Sequence, residues 1–97
     1  MNTIFEWEED KNLRNQLKHC ISFELAQRVF EDPFALLVQT SNDNGDGHLQ
    51  AIGLIEEFVI LLAAQKVSIS DDKQSIKIVS ARRANLNERI CYENQAG

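Results

Sequence analysis

The chain has 97 residues, with 10 Lys and Arg against 15 Asp and Glu, a formal net charge of −5 at pH 7 and 43% hydrophobic residues. That apolar share excludes a wholly disordered chain, and the length suits one small domain whose core needs no metal or disulfide staple. The longest apolar run, residues 58–64, is strand-sized and far short of the roughly 18 residues of a membrane helix. The N-terminus turns acidic at its sixth residue and has no basic region leading an apolar block, so a cytoplasmic location without membrane contact is expected.

Residues 3–7 are β-branched and aromatic and predict a short strand. Glu8, Glu9 and Asp10 then suit the first turn of a helix, and Lys18 and His19 its last turn, because each charge meets the opposite end of the helix dipole. Leu13 and Leu17, at i, i+4, predict the inward stripe of that helix. Ser22 is a candidate N-cap for a second helix over 23–30, which Asp32-Pro33 ends. A strand follows over 34–40. Residues 41–47, with Asn44-Gly45 and Asp46-Gly47, predict a hairpin turn into a strand over 48–55.

Glu56-Glu57 marks a weak turn before an apolar strand over 58–67. Residues 68–75, with Asp71-Asp72, predict the next connection, and 76–81 the last strand. Asn85 and Glu88 then form a capping pair that opens a final helix to about residue 94, with Leu86 and Ile90 inward. Helices and strands segregate along the chain instead of alternating. The expected fold class is therefore α+β: two N-terminal helices, a four-stranded antiparallel sheet and a C-terminal helix, in one domain over 1–97.

Charge is uneven. Residues 1–48 hold nine acids and four bases, whereas the rest is balanced at six of each. Net acidity argues against tight nonspecific binding to a polyanion, since that affinity rests on cations releasing phosphate counterions. It leaves room for a local basic patch: Lys77, Arg82, Arg83 and Arg89 face only Glu88 between positions 74 and 92. Cys20 and Cys91 lie 71 positions apart without a CxxC pair, and the only histidines are His19 and His48, so neither a zinc site nor a cofactor is expected and the cysteines read as plain buried thiols.

No Gly-rich phosphate loop, GxSxG elbow or HExxH stands in the sequence. The chemistry-bearing candidates are single polar groups on or beside the sheet. Arg82, Arg83 and Arg89 follow the last strand closely enough to converge over one sheet end, and guanidinium forks match phosphate oxygens. Solvated ion pairs with Glu88 and Glu93 are the plainer reading of the same spacing. His48 carries the chemistry of a proton shuttle. Lys66 offers a phosphate contact or merely a strand end, and Trp7 reads as core or interface.

Three blocks together resemble the BrnT family of toxins. Phe5-Glu-Trp-Glu-Glu-Asp-Lys-Asn-Leu-Arg-Asn-Gln-Leu-Lys-His-Cys-Ile-Ser-Phe-Glu-Leu-Ala is similar to the family's F-E-W-D-x-x-K-x-x-x-N-x-x-K-H-G-[IV]-x-F-x-x-A. Val29-Phe-Glu-Asp-Pro is the second block, and the third runs from Ala51-Ile-Gly-Leu to Ile78-Val-Ser-Ala-Arg-Arg-Ala and on to Glu88-Arg-x-x-Tyr-Glu93. The resemblance implies a RelE-like fold and a metal-independent ribonuclease that cuts mRNA and inhibits translation in bacterial stress. It also implies neutralisation by a BrnA-like ribbon-helix-helix antitoxin in a hetero-oligomer, with operator DNA bound only through that antitoxin.

The site residues it implies are His48, Lys66, Arg82 and Arg89. The family usually has Arg where His48 stands, Tyr or His then Thr where Ala63-Ala64 stand, Arg where Lys66 stands, and glycine where Cys20 stands. These departures frame a second expectation from another class: a catalytically decayed member acting as a protein-binding co-repressor with its antitoxin. An unrelated α+β adaptor is the third.

Overall fold

A computed structural model describes residues 2–41, 47–69 and 73–96. Its elements are β1 (Asn2–Glu6), α1 (Glu9–His19), α2 (Phe23–Ala26), a 3₁₀ segment (Gln27–Glu31), β2 (Leu36–Ser41), β3 (Gly47–Ile55), β4 (Phe58–Ile69), β5 (Lys73–Arg83) and α3 (Leu86–Ala96). The α+β class holds, and so do the end signals. Glu9 and Asp10 open α1 and Lys18 and His19 close it; the Ser22 hydroxyl accepts the Leu25 N–H at 3.0 Å. At α3 the capping pair is complete, with the Glu88 N–H donating to Asn85 Oδ1 and the Asn85 N–H to Glu88 Oε1, each at 2.8 Å. The helix expected over 23–30 tightens to 3₁₀ after Ala26.

The sheet has five strands, not four, and is mixed. Its order is β1-β5-β4-β3-β2, with β1 parallel to β5 and every other pair antiparallel. The N-terminal strand joins because Phe5 falls opposite buried Ile76 and extends the apolar row. The connection expected over 68–75 is shorter, since β4 reaches Ile69 and β5 begins at Lys73. Turn residues 42–46 and 70–72 lie outside the described residues, and Ser41 pairs with Gly47 across the first of them. Among the described residues no helix is long and apolar enough to cross a membrane.

One face of the sheet packs under α1, α2 and the 3₁₀ segment. Phe23, Ala26 and Val29 are fully buried there with Leu62, Ile76 and Ile78. Burial of a Phe or Leu side chain contributes roughly 1.5–3 kcal/mol, so this cluster is the main apolar anchor. Gly53 permits the closest approach: a Cβ there would stand 2.8 Å from Val29 Cγ1.

A bulge in β5 decides what faces the other way. Ala64 pairs with Ile78 but Ala63 with Ser80, leaving Val79 as an extra residue. Bulges re-aim the side chains that follow. Ile76, Ile78 and then Ala81 are buried, and Arg82 emerges on the open face beside Leu61.

Both longer helices present a different face from the one expected. Leu13 and Leu17 are 52% and 87% exposed, whereas Asn12 and Asn15 are buried. Asn15 Nδ2 donates to the carbonyls of Ile21 and Ala81, both at 2.8 Å, and its Oδ1 accepts the Ala81 N–H at 3.1 Å. Asn12 Oδ1 accepts the Phe23 N–H at 2.8 Å. Leu86 and Ile90 are likewise exposed. Glu88, Tyr92 and Gln95, spaced i, i+4, i+7, hold α3 through Arg82, Asp32 and the Phe34 carbonyl respectively.

Asp32 is the hub of that attachment. Its carboxylate accepts the Tyr92 hydroxyl and the Phe34 and Leu54 N–H groups, the latter two at 2.9 Å. Burial opposes its charge, but these three donors outweigh the burial and hold the carboxyl below its usual range. Burial also pushes the Tyr92 hydroxyl up to about 12, and the Asp32 carboxylate adds to the rise. The protonated phenol therefore stabilises the fold below an ordinary tyrosine pKa of about 10, and that contribution is lost as pH climbs from about 10 to 12. Asp32 adds stability above the ordinary carboxylate pKa, lost as pH falls through its lowered value. Tyr92 is the sole tyrosine, so ultraviolet titration of the folded protein should show tyrosinate only near the upper limit. Tyr92→Phe should unfold with a flatter alkaline limb; an unchanged limb would remove this bond from the account.

Cys20 and Cys91 are free and exposed, not buried thiols. Cys20 sits at the end of α1 in the left-handed region, φ 60° and ψ 27°, its N–H bonded to the Gln16 carbonyl at 2.9 Å. That conformation costs an L-residue about 1 kcal/mol and glycine almost nothing. Cys20→Gly is expected to raise the unfolding free energy by that order, read as a higher urea midpoint at unchanged slope, and Cys20→Val to lower it.

Candidate active site

The face turned away from α1 and α2 carries His48, Gln50 and Ile52 from β3, Leu61, Ala63 and Gln65 from β4, and Ser80 and Arg82 from β5. His48 stands opposite Gln65, and Arg82 opposite Leu61, so each is one diagonal step from Ala63. A diagonal step spans about 7–8 Å, which places His48 and Arg82 roughly 15 Å apart with Ala63 midway. His48 is exposed and lines, with Val38, Gln50, Ala63 and Val79, a hollow of about 320 Å³. The two do not touch one another, but a phosphate over Ala63 would lie between them.

Arg82 is held rigidly at its end of this diagonal. Its Nη1 and Nη2 donate to Glu88 Oε1 and Oε2, each at 2.9 Å, and Nη1 also reaches the Arg83 carbonyl at 3.1 Å. The pairing keeps the guanidinium firmly charged and, through the same hydrogen bonds, holds the Glu88 carboxyl below its usual range. A guanidinium has five N–H donors. Three are used here, and the Nε–H and second Nη2–H, which share one edge, have no partner among the described residues. That edge can take a second oxyanion without displacing Glu88.

The expected convergence of three arginines divides in two. Arg83 and Arg89 line a cavity of about 520 Å³ at the sheet end with Leu54, Phe58 and Tyr92, while Arg82 turns to the open face. Arg89 is exposed and lies 3.9 Å from Glu93, a loose surface pair. Lys66 pairs with Ile76 along the ladder, and its side chain lies outside the described residues. Trp7 packs edge-on against Phe23 with ring centroids 6.1 Å apart. Among the described residues no three His, Cys, Asp or Glu side chains gather to hold a metal ion.

Sequence reasoning passed over Phe58, whose ring lies under the Arg83 guanidinium. Only the antiparallel pairing that sets the start of β4 beside the end of β5, where Ile60 pairs with Arg83, brings them together.

A family model described as ribonuclease toxin, BrnT, of type II toxin–antitoxin system matches residues 7–88. No protein with a curated description matches the chain.

Proposed function

The chain belongs to the BrnT family of ribonuclease toxins from type II toxin–antitoxin systems, and on that premise we propose that it cuts mRNA on the open face of its sheet. The reaction would be attack of a ribose 2′-hydroxyl on the adjacent phosphate lying over Ala63. His48 takes the hydroxyl proton as the O2′–P bond forms and the P–O5′ bond breaks, and a proton returns to the leaving 5′-oxygen. The free edge of Arg82 meets the phosphate oxygens as negative charge builds on them. The products are a 2′,3′-cyclic phosphate and a 5′-hydroxyl, and no metal takes part.

The observation that carries this reading is the placement of His48 and Arg82 on either side of Ala63. The family implies an antitoxin partner. We assign it as a BrnA-like ribbon-helix-helix protein that binds operator DNA for the pair.

The test is RNA cleavage by purified chain freed of antitoxin, in excess chelator, beside growth after tightly controlled induction. Cyclic-phosphate ends and growth arrest are expected. Intact RNA and normal growth with folded protein present would point instead to a member that only binds its antitoxin.

A further inference from the structure

Ala63 is a small residue with a polar neighbour directly opposite it on each side. On one flank it pairs with Gln50 of β3 and on the other with Ser80 of β5. Both are exposed on the open face, and both are nearer to Ala63 than His48 or Arg82, which stand one diagonal step away. The extra residue at Val79 is what brings Ser80 to this face. An unbroken alternation from Ile78 would put it under the helices.

Spacing and chemistry indicate what these two side chains meet. Directly opposite residues have Cβ atoms about 4.5–5.5 Å apart, so Gln50 and Ser80 flank Ala63 across a gap of about 10 Å. The methyl group of Ala63 leaves that gap open, and Gln50 and Ala63 both line the hollow of about 320 Å³ beside His48. A phosphate fits there with one hydrogen bond on each side, each of about 2.7–3.2 Å. The serine hydroxyl and the glutamine amide both donate hydrogen bonds and carry no charge. His48 and Arg82 stand at opposite corners with a proton acceptor and a fixed cation, and the two neutral donors lie on the other pair of sides.

We infer that Gln50 and Ser80 are substrate-contacting residues, each donating a hydrogen bond to a nonbridging oxygen of the scissile phosphate, one from either side; this rests on the ribonuclease reading above. The bonds hold the bound phosphate over Ala63 and strengthen as charge builds on its oxygens, so they act on rate as well as on affinity.

The experiment measures cleavage of a short RNA at saturating concentration by the purified chain freed of antitoxin, beside binding of a 2′-O-methyl RNA that cannot be cut. Ser80→Ala and Gln50→Met, which remove the donor and keep most of the bulk, should each cut roughly ten-fold more slowly and bind the uncleavable RNA several-fold less tightly. Both positions are exposed, so melting temperatures should match wild type. Ser80→Thr, which keeps the hydroxyl, should cut faster than Ser80→Ala. Gln50→Glu, which sets a carboxylate against the phosphate, should cut more slowly than Gln50→Met. An unchanged rate in Ser80→Ala or Gln50→Met, or a Ser80→Thr no faster than Ser80→Ala, would overturn the inference while wild-type cleavage upheld the ribonuclease. A wild type that cuts nothing, yet binds the 2′-O-methyl RNA more tightly than both donor-less variants, would overturn the ribonuclease and keep the phosphate seat. A wild type that neither cuts nor binds RNA would overturn both.

Discussion

Asn15→Ala should cost about 3–5 kcal/mol, because it strands the Ala81 N–H and the carbonyls of Ala81 and Ile21 in a buried position, and each unmet group costs about 1–3 kcal/mol. A domain of this size holds about 5–15 kcal/mol in all, so the variant should lose a large share of its stability. Leu17→Ala, at a position 87% exposed, should change stability by no more than about 0.5 kcal/mol. Urea unfolding of the two beside wild type decides the matter. A Leu17 variant that loses more than the Asn15 variant would mean that α1 docks through its leucines after all.

That contrast also marks where the sequence could be read and where it could not. Strand positions follow from alternation and turn residues, and they came out within a few residues of expectation. Helix ends follow from charge and caps, which act locally, so Ser22 and the Asn85–Glu88 pair were readable. Which face of a helix turns inward is a different question, because it depends on partners distant in sequence. Apolar spacing identifies the buried stripe only when the stripe is apolar. In α1 and α3 the inward groups are amides, a carboxylate and a phenol, each satisfied by a backbone or side-chain partner, so Leu13, Leu17, Leu86 and Ile90 pointed the wrong way. Among the described residues no buried side-chain nitrogen or oxygen lacks a partner, which is what lets polar faces substitute for leucines. Asn15 does stand in the N-x-x-K-H block that resembles the family pattern, and its role as a bridge between α1 and β5 accounts for a polar residue at an inward position.

The candidate site was legible in its residues and not in its geometry. A period of two carried through from Ile76 and Ile78 puts Arg82 beneath the helices; the extra residue at Val79 reverses that, and nothing local in Ile-Val-Ser-Ala announces a bulge. The parallel pairing of β1 was hidden for a similar reason, since its partner strand lies at the far end of the chain.

Arg82→Ala is expected to slow RNA cleavage by roughly 10²–10³-fold, the usual cost of removing a donor that meets developing charge. Because Arg82 and Glu88 are only half-buried, loss of their pair should leave the protein folded, and circular dichroism and equal abundance in cells would verify that. Arg82→Lys should recover only part of the rate, since an ammonium keeps the charge but cannot hold Glu88 with one edge and phosphate with another. Glu88→Gln separates holding from charge. Glutamine still completes the cap at Asn85, yet it cannot accept both guanidinium nitrogens, so the fork loosens. The rate should fall about ten-fold while KM stays level or drops, because one negative charge near the RNA is gone. A rate that rises in Glu88→Gln would mean the carboxylate competes with phosphate for Arg82. A rate that falls only with the folded fraction would leave Glu88 as an anchor of α3 and nothing more.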